Sequence, residues 1–216
     1  MSLINTDETL DELGEFRIIQ RKNGYRFSDD SVQLANFVLP LKPDNSVIDL
    51  GAGSGVISLI LAQKSQIKNI VGVEIQEGLA DIAKRNVVLN NLSSRIKIVK
   101  GDFRDIIYSR LFKKDSFSVV ISNPPYTKHK SGRISPSGEK RVAKMEITCA
   151  LSDLIKISKY LAAENGRLCY TYPLTRLQEM LFVLRDNDLK VNRLKFIYPK
   201  SNGRAKRFLI EAVKKG

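Results

Sequence analysis

The sequence predicts an α/β protein built on one open, doubly wound, mostly parallel sheet of seven strands, with helices on both faces. Two observations carry that expectation. Short apolar runs recur along the 216-residue chain, most of them separated by stretches of helical period. The first strong run also passes straight into a glycine-rich turn, Gly51-Ala52-Gly53-Ser54-Gly55, that opens a helix. Open α/β sheets meet their ligands at such a turn, outside the carboxyl ends of the strands.

The elements follow in order. Residues 1–15 are acidic, and Thr9 is placed to cap a helix; residues 1–24 read as an extension ahead of one domain spanning 25–216. Residues 47–50 form an apolar strand without polar alternation, as expected for a parallel strand covered on both faces. A helix is expected over 56–63, a strand over 69–75, a helix over 77–90 and a strand over 96–99. The run 117–121 is a further strand, 147–163 a helix, 167–172 a strand and 175–187 a helix. Runs 191–198 and 207–213 flank Ser201-Asn202-Gly203, a turn signal, and read as a terminal antiparallel pair.

The glycine turn lacks the last glycine of the G-x-G-x-x-G dinucleotide fingerprint, and Asp49 precedes it by two positions. A pyrophosphate has no use for that acid, whereas an amine or sulfonium does. Gly51, Gly53 and Gly55 let the backbone approach such a ligand without interference from a Cβ. Glu74, at the tip of the next strand, is placed to accept from both hydroxyls of a ribose. Asp102 and Phe103, after the third strand, offer an acceptor for an adenine amine and a surface for its ring. Together they outline a nucleoside cradle.

Asn123-Pro124-Pro125-Tyr126 follows the apolar run 117–121 directly. Asn123 supplies a carbonyl acceptor on a short side chain. Pro124 has no N–H and a fixed φ, so its carbonyl can be held toward a ligand. Pro125 keeps the residue before it extended, and Tyr126 offers a face for stacking. Two acceptors beside one aromatic plate suit a planar NH2 group.

The chain carries 36 Lys+Arg against 23 Asp+Glu, a formal net charge of +13, which favours a polyphosphate partner. One basic cluster, Lys128, His129, Lys130, Arg133, Lys140, Arg141 and Lys144, follows the Asn-Pro-Pro-Tyr motif. His129 reads there as a surface or RNA contact. A second cluster, Lys200, Arg204, Lys206 and Arg207, surrounds the terminal turn. Both should rim the pocket and grip a nucleic acid backbone. Arg17, Arg21, Lys22 and Arg26 form a third group, placed to close the cofactor site. Asp105 and Asp115 read as solvated turn residues.

These motifs, in this order, resemble class I S-adenosylmethionine-dependent methyltransferases, and Asn-Pro-Pro-Tyr resembles the branch that methylates planar nitrogen. The resemblance implies the seven-stranded Rossmann-like sheet with an antiparallel last strand, and S-adenosylmethionine as cofactor. It implies that Glu74 binds the ribose, Asp102 and Phe103 the adenine, and the loop 51–55 the methionine end. Gly24-Tyr25-Arg26-Phe27-Ser28-Asp29-Asp30-Ser31-Val32 and the segment 124–146 are similar to bacterial tRNA1(Val) adenine-N6 methyltransferases. That group often has Arg-Ala-Arg-His-Glu where this chain has Val142 to Glu146. Its members modify the adenine on the 3′ side of the anticodon, nucleotide 37. The implied partner is tRNA, with Lys128, Lys130, Arg133, Lys140, Arg141 and Arg204 as substrate contacts.

Two cysteines in apolar contexts, Cys149 and Cys169, read as core thiols in a reducing compartment. A cytoplasmic monomer without metal is therefore expected, for no ligand spacing exists and there is one histidine. The apolar runs are too short to span a bilayer, and the acidic N-terminus does not resemble a signal peptide. Rival readings are a glutamine methyltransferase of release factors, a DNA adenine methyltransferase and a non-catalytic RNA-binding protein. The first usually carries an N-terminal helical domain, for which 24 residues leave little room.

Overall fold

The computed structural model describes residues 4–24, 26–109, 111–124, 151–199 and 203–215. A β-hairpin comes first, β1 (Glu8–Leu13) and β2 (Phe16–Arg21), followed by helix α1 (Asp29–Val38). Then come β3 (Ser46–Leu50), α2 (Val56–Lys64), β4 (Asn69–Glu74), α3 (Glu77–Leu89) and β5 (Ile96–Lys100). After a 3-10 turn and the short α4 (Ile106–Ser109) comes β6 (Phe117–Ser122). The chain finishes with α5 (Leu151–Leu161), β7 (Ala162–Pro173), α6 (Leu177–Asp186), β8 (Leu189–Ile197) and β9 (Arg207–Lys214).

The seven-stranded sheet has the order β5-β4-β3-β6-β7-β9-β8. Strands β3 to β7 pair in parallel, and β9 lies antiparallel between β7 and β8. Val47, Ile48 and Leu50 of β3 are fully buried, because helices cover both faces. One face packs against α1, α2 and α3, the other against α4, α5 and α6. Strand order reverses between β3 and β6, so the carboxyl ends of these two strands diverge and leave a crevice.

Two expectations are corrected, and one helix was not anticipated. Thr9 caps no helix; it lies in β1, opposite Gln20 of β2. The helix expected to reach residue 163 ends at Leu161, because Ala162 already pairs with Phe117 and the register then jumps to Val119–Arg167. Asn165 absorbs the irregularity with φ 59°. Helix α1 was not anticipated: its stripe of Ser31, Leu34, Ala35 and Val38 is buried, but it contains a serine and lies within a stretch readable as loop.

The hairpin is part of the packed structure. Ile18 and Ile19 are fully buried. The side chain of Asn86 on α3 accepts from Ile19 N–H at 2.6 Å and donates to the Ile19 carbonyl at 3.1 Å. The same amide donates to the Ser54 carbonyl at 3.0 Å, joining hairpin, helix and glycine loop. Arg85 adds a two-pronged grip on the Glu8 carboxylate, at 2.7 and 2.5 Å, and holds that carboxyl below its usual range.

Replacing Asn86 by Ala strands three buried backbone groups at once. The variant is expected to lose about 2 kcal/mol or more in urea unfolding. A loss below about 0.5 kcal/mol would mean that water takes over those bonds.

Candidate active site

β3 runs into the loop 51–55, whose three glycines all have positive φ, +81° at Gly51, +56° at Gly53 and +85° at Gly55. The conformation is required at both ends. Gly51 turns so that its N–H and that of Ala52 both donate to the Val73 carbonyl, at 2.9 and 3.0 Å. A Cβ on Gly51 would point into open space, so this stretch of backbone is bare to a ligand. Gly55 is the N-cap of α2, where a Cβ would sit 3.4 Å from that of Ala83.

Beside this loop opens a cavity of about 240 Å³. Gly51, Gly53 and Glu74 form its floor, Asp102 and Phe103 one wall, and Asn123 with Pro124 another. Sequence positions up to 73 apart thus meet where the strands end, and each of these residues had been read as part of the site.

Glu74 is 4% exposed and works at the centre. One carboxylate oxygen accepts from Gly53 N–H at 2.8 Å, the other from Gln76 N–H at 2.8 Å. Burial nevertheless pushes its pKa up against these bonds. Each oxygen retains a second lone pair for a ligand hydroxyl.

Asp49 is fully buried one layer behind, and neither carboxylate oxygen has a hydrogen-bond partner among the described residues. Burial, reinforced by the charge of Glu74, pushes its carboxyl up to about 7. It does not line the cavity; it lies beneath the loop that does.

Phe103 packs into the core with one side on the cavity, joined there by Ile75 and Leu79. Asp102 is held by Arg104, whose N–H donates at 2.9 Å and whose guanidinium grips both carboxylate oxygens. Burial would raise the Asp102 pKa, but this grip lowers it.

Asn123 follows β6 directly, and Ser122 anchors the strand end by donating to the Leu50 carbonyl at 2.6 Å. The Asn123 amide nitrogen donates to Ser31 Oγ on α1 at 2.9 Å. That bond fixes which end of the amide faces α1 and turns the carbonyl end away from it.

The remaining wall was largely missed. Ser28, Asp30 and Arg207 line the cavity, and Arg207 Nε pairs with Asp30 at 2.8 Å. Arg207 had been assigned to the backbone-gripping cluster; here it closes the cavity. Of the third basic group, Arg26 lines the cavity and pairs with Asp11 at 2.7 Å. Arg17 and Arg21 lie in β2, and Lys22 binds the Thr6 carbonyl at 2.8 Å, so these three belong to the hairpin. A charge run in sequence does not reveal which cation turns inward.

Pro125, Tyr126, Lys128, His129, Lys130, Arg133, Lys140, Arg141, Lys144, Cys149, Lys200, Ser201 and Asn202 lie outside the described residues. Arg204 is described and exposed. Cys169 is a buried thiol, pushed up to about 12 by burial. Asp115 sits in a turn at φ 58° and pairs with Lys214, and Asp105 closes the 3-10 turn after Phe103.

Residues 25–136, just over half of the chain, match the family model described as methyltransferase small domain. The chain belongs to that family. A curated relative from Porphyromonas gingivalis (strain W83), named tRNA1(Val) (adenine(37)-N6)-methyltransferase, is 31% identical over 76% of this chain. The chain spans 64% of that relative's length, slightly under two thirds. A relative of the same name from Bacteroides thetaiotaomicron is 28% identical over 91% of this chain and 80% of its own. Among solved structures, Pyrococcus horikoshii TYW2 in complex with MeSAdo superposes with a TM-score of 0.68 at 16% identity. That likeness covers 98% of this chain and 73% of the other, and it is one of fold.

Among the described residues no helix is long and apolar enough to cross a membrane, and no group of three or more His, Cys, Asp or Glu could hold a metal.

The Asp49 proton makes stability depend on pH. The unfolded chain releases it near pH 4, whereas the folded state keeps it until about pH 7. Across that window the native state binds the extra proton, so stability falls as pH rises. Asp49→Asn removes the effect. The melting temperature of the variant relative to the parent is expected to climb between about pH 4 and pH 7 and to level off above that. A pH-independent difference would show that Asp49 is ionised throughout.

Proposed function

We propose that this protein transfers a methyl group from S-adenosylmethionine to the exocyclic N6 of an adenine in tRNA, at nucleotide 37 beside the anticodon. The observation that carries the reading is Asn123, held by Ser31 at the rim of a cavity whose floor is Glu74 and the bare backbone of Gly51. The names of the curated relatives support the tRNA and the nucleotide.

The residues fit the cofactor. Asp49 does not itself line the cavity, but a buried acid without a partner beneath the glycine loop makes the field there favour a cation, and the ligand's methionine end carries one. Glu74 would accept from the ribose hydroxyls through its remaining lone pairs. Asp102 would accept from the adenine amine, and Phe103, Ile75 and Leu79 would cover the ring. When bound, S-adenosylmethionine supplies an electrophilic methyl carbon on a sulfonium sulfur.

An adenine amine is a poor nucleophile because its lone pair is delocalised into the ring. The Asn123 carbonyl and the Pro124 carbonyl would accept from its two N–H groups, favouring a pyramidal nitrogen and stabilising the positive charge that grows on it. Tyr126 would stack on the extruded base, worth about 1–3 kcal/mol. The target in an anticodon loop is already partly unstacked, which lowers the cost of extrusion. Alignment of nitrogen, methyl and sulfur is a positioning effect. The surplus proton on the product nitrogen leaves to water, so no general base is assigned. Lys128, Lys130, Arg133, Lys140, Arg141 and Arg204 would contact the tRNA backbone, and the protein would act as a monomer in the cytoplasm.

The test is incubation with methyl-labelled S-adenosylmethionine and unmodified tRNA, followed by digestion and identification of the labelled nucleoside. Labelled N6-methyladenosine is expected. Asn123→Ala should lower kcat by about 10²-fold or more while cofactor affinity stays within about twofold. Label entering a release factor in place of tRNA would overturn the reading in favour of glutamine methylation.

A further inference from the structure

Strand β8 is one of the two edges of the sheet, and an exposed aromatic pair lies at its carboxyl end. Phe196 is 40% exposed and Tyr198 63%. β8 runs parallel to β6 and β7, since both β7 and β8 are antiparallel to β9, so Tyr198 emerges on the same side of the sheet as Asn123. Ile197, one residue before it, is paired in register with Arg207, which lines the cavity.

The returning loop stays close to this pair. Lys206 N–H donates to the Ile197 carbonyl at 3.2 Å, and a Cβ on Gly203 would lie 3.0 Å from Pro199 Cγ. Arg204 and Lys206 therefore sit beside Tyr198, and both are exposed; Lys195, in register with Leu209, projects from the opposite face of the sheet to Phe196, which is in register with Phe208. Arg207, by contrast, is committed to Asp30.

Resting on the reading above, we infer that the carboxyl end of β8 is a second RNA-binding surface, on which Tyr198 and Phe196 stack unpaired bases of the substrate while Arg204 and Lys206 take the adjoining phosphates. Two features favour a polyanion with flat, stackable bases over a protein. Arg204 and Lys206 lie beside the aromatics with no described acid in the strand or the loop, and Tyr198 emerges at the same end of the sheet as the cavity, next to the Ile197–Arg207 pair. A polar, basic edge also resists pairing with another sheet. Sequence-tolerant stacking next to a basic track is how single-stranded segments are held. The surface thus fixes nucleotides flanking the target, which the cavity by itself cannot reach.

The experiment measures binding of unfractionated tRNA over a salt series, with kcat and KM for methyl transfer, for Tyr198→Ala, Tyr198→Phe and Arg204→Glu/Lys206→Glu. Affinity for S-adenosylmethionine serves as the control for folding. Tyr198→Ala is expected to weaken tRNA binding about tenfold and raise KM in parallel with little change in kcat, and Tyr198→Phe to restore both. The charge variant should make the salt dependence shallower by about one to two units of slope. Parent-like binding by Tyr198→Ala would overturn the inference. So would a parent protein that sediments as a dimer and becomes monomeric on Tyr198→Ala, which would make the edge a contact between copies. The two readings fail separately: N6-methyladenosine formed with unchanged tRNA affinity sinks the surface alone, whereas weakened binding without any N6-methyladenosine from the parent keeps the surface and sinks the reaction.

Discussion

Two carboxylates, Asp49 and Glu74, are buried at the ends of adjacent parallel strands, and charge taken out of water has to be compensated. Glu74 is compensated by the backbone. Gly53 and Gln76 both donate to it, so the acid that would hold a ribose also locks the glycine loop onto the start of α3. Asp49 has no such bonds among the described residues and keeps its proton to about pH 7. The loop's shape thus depends on Glu74, and the floor stays short of positive charge until a ligand supplies it.

The walls resolve the opposite problem. A chain of net charge +13 builds an acid-floored cavity, and it does so by committing the arginines nearest that floor. Arg26 pairs with Asp11, Arg104 with Asp102 and Arg207 with Asp30. Each pair holds a rim residue in place and keeps its cation from neutralising the floor. Exposed ion pairs add little stability, so their effect here is one of shape and field. Arg204 and Lys206, by contrast, are exposed, where a polyanion would meet them.

Rigid support comes from places remote from the cavity. Asn86 connects the hairpin, α3 and the glycine loop through a single buried amide, and Arg85 secures the hairpin from the side. Near the end of α1 Glu211 is held to about 2, against its burial, by Arg193, Asn192 and Arg167. The same two arginines donate to the Phe37 and Val38 carbonyls at the end of α1. α1 carries Ser31, so this cluster also steadies the partner of Asn123.

The sequence by itself determined the parallel sheet, the glycine loop and the strand-end acids. Those features are local: a β-branched run, a turn needing positive φ and an acid after a strand are each written in consecutive residues. Asn123 and Pro124, singled out from the motif chemistry, lie on the cavity wall. What only the tertiary structure decided is which distant residues share a wall. Ser31 and Asn123 are 92 positions apart, and no periodicity relates them. Arg207 and Arg26 were legible as basic residues, but whether a cation turns to the cavity or to solvent depends on the acid opposite it. The hairpin escaped for a related reason, since β1 (ETLDEL) is rich in acids, β2 (FRIIQR) carries two arginines and a glutamine, and both become strands only when Ile18 and Ile19 find the core. Long-range burial and pairing, absent from any local window, settle those choices.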